Sequence, residues 1–320
     1  LINMLDARQL EALAAVAEQG SFLAAAQALN ITLAAVSLRI KSLEEALGQR
    51  LLVRGKTVTT TAAGQALLTH VRQVRLMETD LLQGLSGGAA AGAAGAASWQ
   101  TLSVAINADS MASWFLPGVA PLLAQHRLLL DIMLDDQDHT HGALKSGDVL
   151  GCVTTLSRAM RGCVAEPLGT MRYRCVGSAS LLASVQEAGG GVSIHRLLGT
   201  PAVIFNRKDG LQDAFLARHF GLKQPAYPRH FAPAVDGFEM AIELGLGWGM
   251  VPDQHLANRA AQPGRTPLLE LIPGAAVDVM LYWQHWEREA PSAQRLTQAV
   301  KAAAARSLIQ DLTLRRIWMD

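Results

Sequence analysis

Cysteine is scarce in this chain: Cys152, Cys163 and Cys175 in 320 residues, odd in number and with no CxxC spacing. That usage excludes a disulfide framework and reads as reduced thiols of a cytoplasmic protein. A redox pair is the alternative, although nothing marks any of the three as an activated thiol. No uninterrupted apolar run approaches a membrane span, and no basic-then-apolar segment opens the chain, so neither a membrane partner nor export is expected. Charge of one sign is not in excess, with Lys and Arg at 28 against Asp and Glu at 27 and a formal net charge of +1. The signatures of catalysis are missing as well: there is no GxSxG, no P-loop and no HExxH. Gly245 to Gly249, GLGWG, is a glycine turn and not a dinucleotide fingerprint. No repeat of solenoid period occurs. An enzyme is not expected.

What is present begins with NITLAAVSLRIKSLEEAL, residues 30–47. Val36, Ile40, Leu43 and Leu47 recur as one buried helical stripe, with Thr32 as N-cap and Gly48 as the stop. The other face carries Ala34, Ala35, Leu38, Arg39, Lys41 and Ser42, small or basic or hydroxylic, as a helix that lies against a polyanion requires. A shorter alanine-rich helix opens at Gly20-Ser21-Phe22 and runs to about Leu29. Two helices joined by so short a turn, the second one basic, read as helix-turn-helix. Ahead of them, Asp6 and Gln9 approximate a capping box for a first helix. From Thr32 to Val58 the cations Arg39, Lys41, Arg50, Arg54 and Lys56 outnumber Glu44 and Glu45. Residues 51–53 and 57–60 flank Arg54-Gly55-Lys56 and read as a two-stranded wing whose basic tip meets phosphates or a minor groove. The alternative is a solvated hairpin.

At 320 residues, two domains are the default. Thr61 caps a long helix to about Leu85, with Leu67, Val71, Val74, Leu81 and Leu85 on one stripe. The Gly- and Ala-rich run 85–99 then reads as a hinge. From Thr101 onward strands and helices alternate, predicting largely parallel sheets with helices on both faces. The strands are 102–106, 128–134, 149–154, 174–176, 202–205, 249–251 and 277–282. The helices include one from about Met111 interrupted by Pro117, and others at 211–220, 237–244 and 292–307.

The run from Leu5 to Gly64, together with INADSMASWFLP, DDQDHTH, VTT and LGLGWGMVP, resembles the LysR-type transcriptional regulators. More narrowly it resembles the subfamily that answers to lysine and arginine, the ArgP/LysG group. The resemblance spans nearly the whole chain. It implies an α plus α/β fold: a winged helix-turn-helix at 4–61, a dimerisation helix at 62–86, a hinge at 87–99 and an effector-binding domain at 100–307. That domain is implied to be two Rossmann-like lobes of the periplasmic-binding-protein type, lobe I about 100–176 and 273–307, lobe II about 177–272. It further implies a dimer or tetramer on an inverted-repeat operator, contact with RNA polymerase, an L-lysine or L-arginine effector in place of a cofactor, and a target such as an amino-acid exporter gene. By resemblance the long helix pairs with its copy in a second subunit; packing on its own effector domain is the competing reading. Leu1 to Asn3 precede the start of the family pattern, and residues 311–320 have no counterpart in it, so both ends read as foreign or native alike.

Two departures bear on DNA reading. Ala34 and Leu38 stand where the family usually has serine and a polar residue such as glutamine. Leu38 keeps contact with a thymine methyl, and sequence choice then leans on Arg39, Ser42, the wing and DNA shape. Thr32, Ala34, Ala35, Leu38, Arg39, Lys41, Ser42, Arg54 and Lys56 are the DNA-facing candidates. For a small ligand, Asp109 and Ser110 follow a strand at a helix start, where an α-carboxylate finds exposed N–H groups. Thr154 and Thr155 end another strand. A ligand cation needs carboxylates, and Asp109, Asp138, Asp209 and Asp236 lie in comparable loops. Asp209 and Asp236 read equally as helix caps. Trp114 and Phe205 could pack an aliphatic stem or belong to the core. Asp138, His139 and His141 lack helical ligand spacing, so the expected number of metals is zero. The rival classes are a transport-type solute-binding protein, a regulator with another effector, and a nucleoid protein of low specificity.

Overall fold

The computed structural model describes residues 5–55, 57–86, 99–134 and 137–310, apart from the side chains of 83, 86 and 137–141. Lys56, nearly all of the glycine- and alanine-rich hinge, the side chains of Asp138, His139 and His141, and both chain ends therefore lie outside the described residues. At the front, Asp6 accepts from the backbone N–H groups of Arg8 (2.7 Å) and Gln9 (3.3 Å), starting α1 (Ala7–Gln19). Ser21 caps α2 (Phe22–Ala28), and Thr32 caps α3 (Leu33–Leu47) through the N–H of Ala35 at 3.1 Å. The last two helices meet at 108°. Leu13, Val16, Val36, Ile40 and Leu43 form the core, and buried alanines at 12, 14, 15, 25 and 26 let the three helices close on one another. Leu47, expected to complete the α3 stripe, is exposed, because the helix overruns this small core by its last turn.

Glu44 ties α3 to the wing: its carboxylate accepts from Leu51 N (2.8 Å) and Leu52 N (3.3 Å). Strands β1 (Leu52–Val53) and β2 (Thr59–Thr60) pair antiparallel. Thr61 then accepts from Gly64 N at 3.1 Å and donates to Arg50 O at 2.7 Å, opening α4 (Ala62–Ser86). Gly64 sits so close to the wing that a Cβ there would lie 2.1 Å from the Leu51 carbonyl oxygen. Leu68 and Val71 bury the first half of α4 against the helix-turn-helix core. Gln65 Nε2, Thr69 Oγ1 and Arg72 Nη1 all donate to the Ser146 carbonyl, at 2.8, 2.7 and 3.0 Å, and Arg72 pairs with Asp148 at 2.6 Å. Farther along, Asp80 accepts from Ser292 N and Oγ. One side of α4 is thus docked on the α/β part of its own chain, while Met77, Leu81 and Leu85 are 43%, 62% and 68% exposed.

The α/β part starts with β3 (Gln100–Ile106), α5 (Ala108–Ser110), a π-helical turn (Met111–Phe115) and α6 (Leu116–His126). The helix expected from Met111 therefore begins three residues earlier, and Pro117 falls at the start of α6, where its missing N–H is tolerated. β4 (Leu128–Leu134), α7 (Gln137–Ser146) and β5 (Gly151–Thr154) follow. The long β6 (Cys163–Gly177) leads to α8 (Ala179–Val185), α9 (Ile194–Gly199), β7 (Ala202–Ile204), α10 (Leu211–Phe220) and β8 (Arg229–Phe231). Then come α11 (Val235–Glu243), β9 (Gly249–Pro252), α12 (Asp253–Ala260), β10 (Leu269–Glu270), β11 (Ala276–Trp286) and α13 (Pro291–Ser307).

A seven-stranded sheet runs β10-β6-β11-β5-β3-β4, with β9 also on β6, and β7 pairs β8 separately. Here the structure departs from the largely parallel expectation. β3 is parallel to β4 and β5, but β11 is antiparallel to β5 and β6, and β6 is antiparallel to β9 and β10. The reason is that β6 and β11 are the two passages between lobes, one outgoing and one returning, and they lie side by side. Helices cover the sheet around Phe115, Phe215, Trp248 and Trp283, all fully buried. Among the described residues no single helix is long and apolar enough to cross a membrane.

Candidate functional site

Two places gather chemistry. The first is a groove between α3 and the wing, lined by Ala34, Ser37, Leu38, Lys41, Arg50 and Arg54 among others. Ala34, Leu38 and Lys41 project outward at i, i+4, i+7, and Leu38 is 64% exposed. Ala35, Arg39 and Ser42 lie half-buried on the flank, and Thr32 caps the groove end of the helix. Arg54 lies over the Phe22 ring, 4.9 Å from its centre, which braces the wing against α2. Lys41 faces Glu45 at 3.7 Å, with both side chains mostly exposed, so its charge remains available to a polyanion. Ser37 and Arg50 were not among the candidates. Arg50 had been counted only as one cation of the basic stretch, and Ser37 becomes groove-lining only once the wing folds beside the helix.

The second place is a small cavity of about 20 Å³, enough for a water molecule. Asp109, Phe205, Asp209, Phe238, Glu239 and His255 are among its lining residues. The Asp109 carboxylate accepts from the Tyr173 hydroxyl at 2.7 Å, and its carbonyl faces His255 Nε2 at 3.1 Å. Burial raises Asp109 above the ordinary carboxylate range, against the lowering influence of His255 and the Tyr173 hydroxyl. Asp209 precedes Gly210, the N-cap of α10, and accepts from Leu211 N (3.0 Å) and Phe205 N (3.2 Å), so it holds the turn into the helix without being its cap while also reaching the cavity. Burial raises it too, and the negative charges of Asp109 and Asp213 add to the shift. Tyr173 is driven well above its usual value by burial and by the Asp109 charge.

The remaining candidates sit elsewhere. Ser110 is fully buried at the end of α5, and Trp114 packs into the core against Phe115. Thr154 is buried on β5, accepting from Leu156 N at 3.2 Å, and Thr155 follows it half-buried. Asp236 is exposed on the first turn of α11, outside the cavity. Tyr173, Glu239 and His255 went unnoticed in the sequence, where they stand 64 to 146 residues from Asp109 with no motif joining them. The three cysteines are free thiols; burial pushes Cys152 to about 12 and Cys163 to about 11, and Cys175 upward as well, so none is a ready thiolate. Among the described residues no group of histidine, cysteine and carboxylates could hold a metal.

A winged helix-turn-helix on a long helix, joined to two α/β lobes around a cavity that sets Asp109, Asp209, Glu239 and His255 among apolar residues, defines a transcription regulator that carries its own sensor. The chain matches the bacterial regulatory helix-turn-helix protein model of the lysR family over residues 7–65 and the LysR substrate binding domain over residues 99–305. It belongs to the LysR family. It is a DNA-binding regulator and not an enzyme; regulators of this family assemble as oligomers and bind small-molecule effectors rather than cofactors. It is 38% identical over 307 residues to the HTH-type transcriptional regulator ArgP of Pseudomonas aeruginosa, covering 96% of this chain and 98% of that one. The crystal structure of ArgP from Mycobacterium tuberculosis superposes with a TM-score of 0.82 at 38% identity, over 96% of this chain and 100% of that chain. Full-length LysG from Corynebacterium glutamicum with bound effector Arg gives 0.76 at 32% identity, over 95% and 100%.

Proposed function

We propose that the cavity is the site of a basic amino-acid effector, L-lysine or L-arginine, and that its occupancy controls genes such as an amino-acid exporter. The observation that carries this reading is the pair Asp109 and Asp209, two carboxylates raised by burial in one cavity beside Phe205. A guanidinium or ammonium relieves both desolvation and mutual repulsion, while an apolar side chain relieves neither. The arginine held by the similar Corynebacterium glutamicum protein supports the same chemistry here. Asp138, Asp236, Thr154 and Thr155 belong to the proposal as residues that reach the ligand once the cavity widens, whereas Ser110 and Trp114, turned into the core, support the Asp109 turn from behind. The cavity must widen, because as it stands it has room for a water molecule and not for an amino acid. Effector binding therefore selects a wider form of this cavity.

The division proposed for the chain is 4–61 for DNA binding, 62–86 for dimerisation, 87–99 for the hinge and 100–307 for the effector, acting in the cytoplasm. The groove residues Ala34, Leu38, Lys41 and Arg54, with Thr32, Ala35, Arg39, Ser42 and Lys56 around them, meet an inverted-repeat operator, and RNA polymerase is the downstream partner. Met77, Leu81 and Leu85 on the exposed side of α4 support pairing with a second subunit, two pairs making a tetramer. Calorimetric titration with lysine, arginine, histidine and leucine tests the central point. Saturable uptake of a basic amino acid with leucine silent supports it, and silence from all four refutes it.

A further inference from the structure

His255 stands on α12 with both ring nitrogens facing acceptors. Nδ1 lies 2.9 Å from Glu239 Oε1 on α11, and Nε2 lies 3.1 Å from the Asp109 carbonyl on α5. A neutral imidazole has one N–H and serves one of these; only the imidazolium serves both. The Arg259 guanidinium reaches the second oxygen of Glu239 at 3.4 Å and pairs with Glu243 as well. The His255 side chain is 4% exposed, so water does not complete either bond. Its two bonds join α11, beside β7 and β9, to the turn that follows β3 in the other lobe. Asp109 sits on that turn. Its carboxylate direction is then fixed at two points, the Tyr173 hydroxyl on the side chain and His255 on the main chain.

We propose that His255, as an imidazolium held by Glu239, is a positioning residue for the effector: it ties the Asp109 turn across the cleft and aims the Asp109 carboxylate at the ligand cation. The inference rests on the reading of this cavity as an effector site. The titratable and charged groups around His255 are Asp109 on α5, Asp209 ahead of α10, Tyr173 and the Arg174–Asp253 pair from β6 and the start of α12, Glu239 and Glu243 on α11, and Arg259 on its own helix. The π-helical turn and β9 bring it no titratable side chain. Burial alone would lower the histidine, but the Glu239 bond and the charge and carbonyl of Asp109 outweigh it, and the net shift is upward. The tie is accordingly complete at low pH and is lost as pH rises through the raised value.

The test is titration of the full chain with L-arginine between pH 6 and 8.5, in wild type, His255→Gln and Glu239→Gln, alongside nitrogen NMR of the His255 ring without ligand. The guanidinium stays charged throughout, and the ligand's own ammonium is common to all three proteins. Expected are a wild-type affinity that falls toward alkaline pH and about tenfold weaker binding at pH 6.5, without that fall, in His255→Gln. In Glu239→Gln the fall moves to lower pH. A His255→Gln protein with wild-type affinity and profile overturns the inference, as does equal weakening in both variants with the profile unchanged, since that is a packing defect. If wild type takes up no basic amino acid, the effector reading itself fails. NMR then still decides His255: a doubly protonated ring near neutral pH supports the tie and a neutral ring overturns it.

Discussion

The groove proposed to face DNA and the cavity proposed for the effector handle charge in opposite ways. In the groove, Lys41 and its partner Glu45 stand 73% and 66% exposed, so each cation contributes little alone and is screened by salt. In the cavity, Asp109, Asp209, Glu239 and His255 are enclosed and held by fixed hydrogen-bond partners, so a single charge change there is felt in full. A polyanion is met by the sum of many weak contacts, while one small cation is met by a few desolvated ones.

The sharpest way to break this comparison is Asp109→Asn. It should weaken arginine or lysine binding by about 100-fold or more, as removal of one partner of a buried pair does, and leave DNA affinity within about twofold, both read by titration. The same substitution should stabilise the ligand-free protein. A carboxylate raised in the folded state favours its proton there more than in the unfolded chain, so its charged form costs stability above the folded value and the cost fades as pH falls below the ordinary range. Scanning calorimetry at pH 7 should therefore show a melting temperature higher by a few degrees, with the gap closing in acid.

The next effect lies between the two regions. Arg72→Ala removes the ion pair with Asp148 and one of the three donors to the Ser146 carbonyl. It should cost about 1–2 kcal/mol of docking between α4 and the lobe and separate the helix-turn-helix and α/β unfolding transitions in calorimetry. A single unchanged transition would mean that these bonds do not couple the two parts. Smaller again is Arg54→Ala, expected to weaken binding a few-fold on every DNA sequence and to reduce the slope of log affinity against log salt by about 1. An unchanged slope would remove the wing tip from phosphate contact. Smallest for stability is Leu38→Gln, within about 0.5 kcal/mol at so exposed a position, although a competition assay among operator variants should register a changed base preference.

The legible part of this molecule was its local part. Thr32, Gly48, Thr61 and the 3.6-residue stripe of α3 announced the helix-turn-helix, because caps and periodicity are written within a few residues. The ends of α10 matched the sequence reading for the same reason. Asp109 and Asp209 could be singled out because a strand followed by a helix start is also a local pattern, and both line the cavity. What escaped was set by long-range pairing. The antiparallel course of β6 and β11 depends on where the chain returns, and no run of residues states that. Tyr173, Glu239 and His255 converge on Asp109 from three separate elements, each reading alone as an ordinary strand or helix residue. Ser110 and Trp114 had the right position along the chain, but the π-helical turn and the helix phase around it carry them inward.

The 25 residues of α4 form one uninterrupted rod, about 37 Å long at the usual rise per residue. Wedged at one end against the wing through Gly64 and bonded near the other to Ser292 through Asp80, it works as a lever arm. A tilt of about 5° over that length displaces the far end by roughly 3 Å, close to the rise per phosphate of one strand along the DNA axis. Angular play that would go unnoticed inside either lobe is, at the tip of this arm, the difference between one backbone contact and the next.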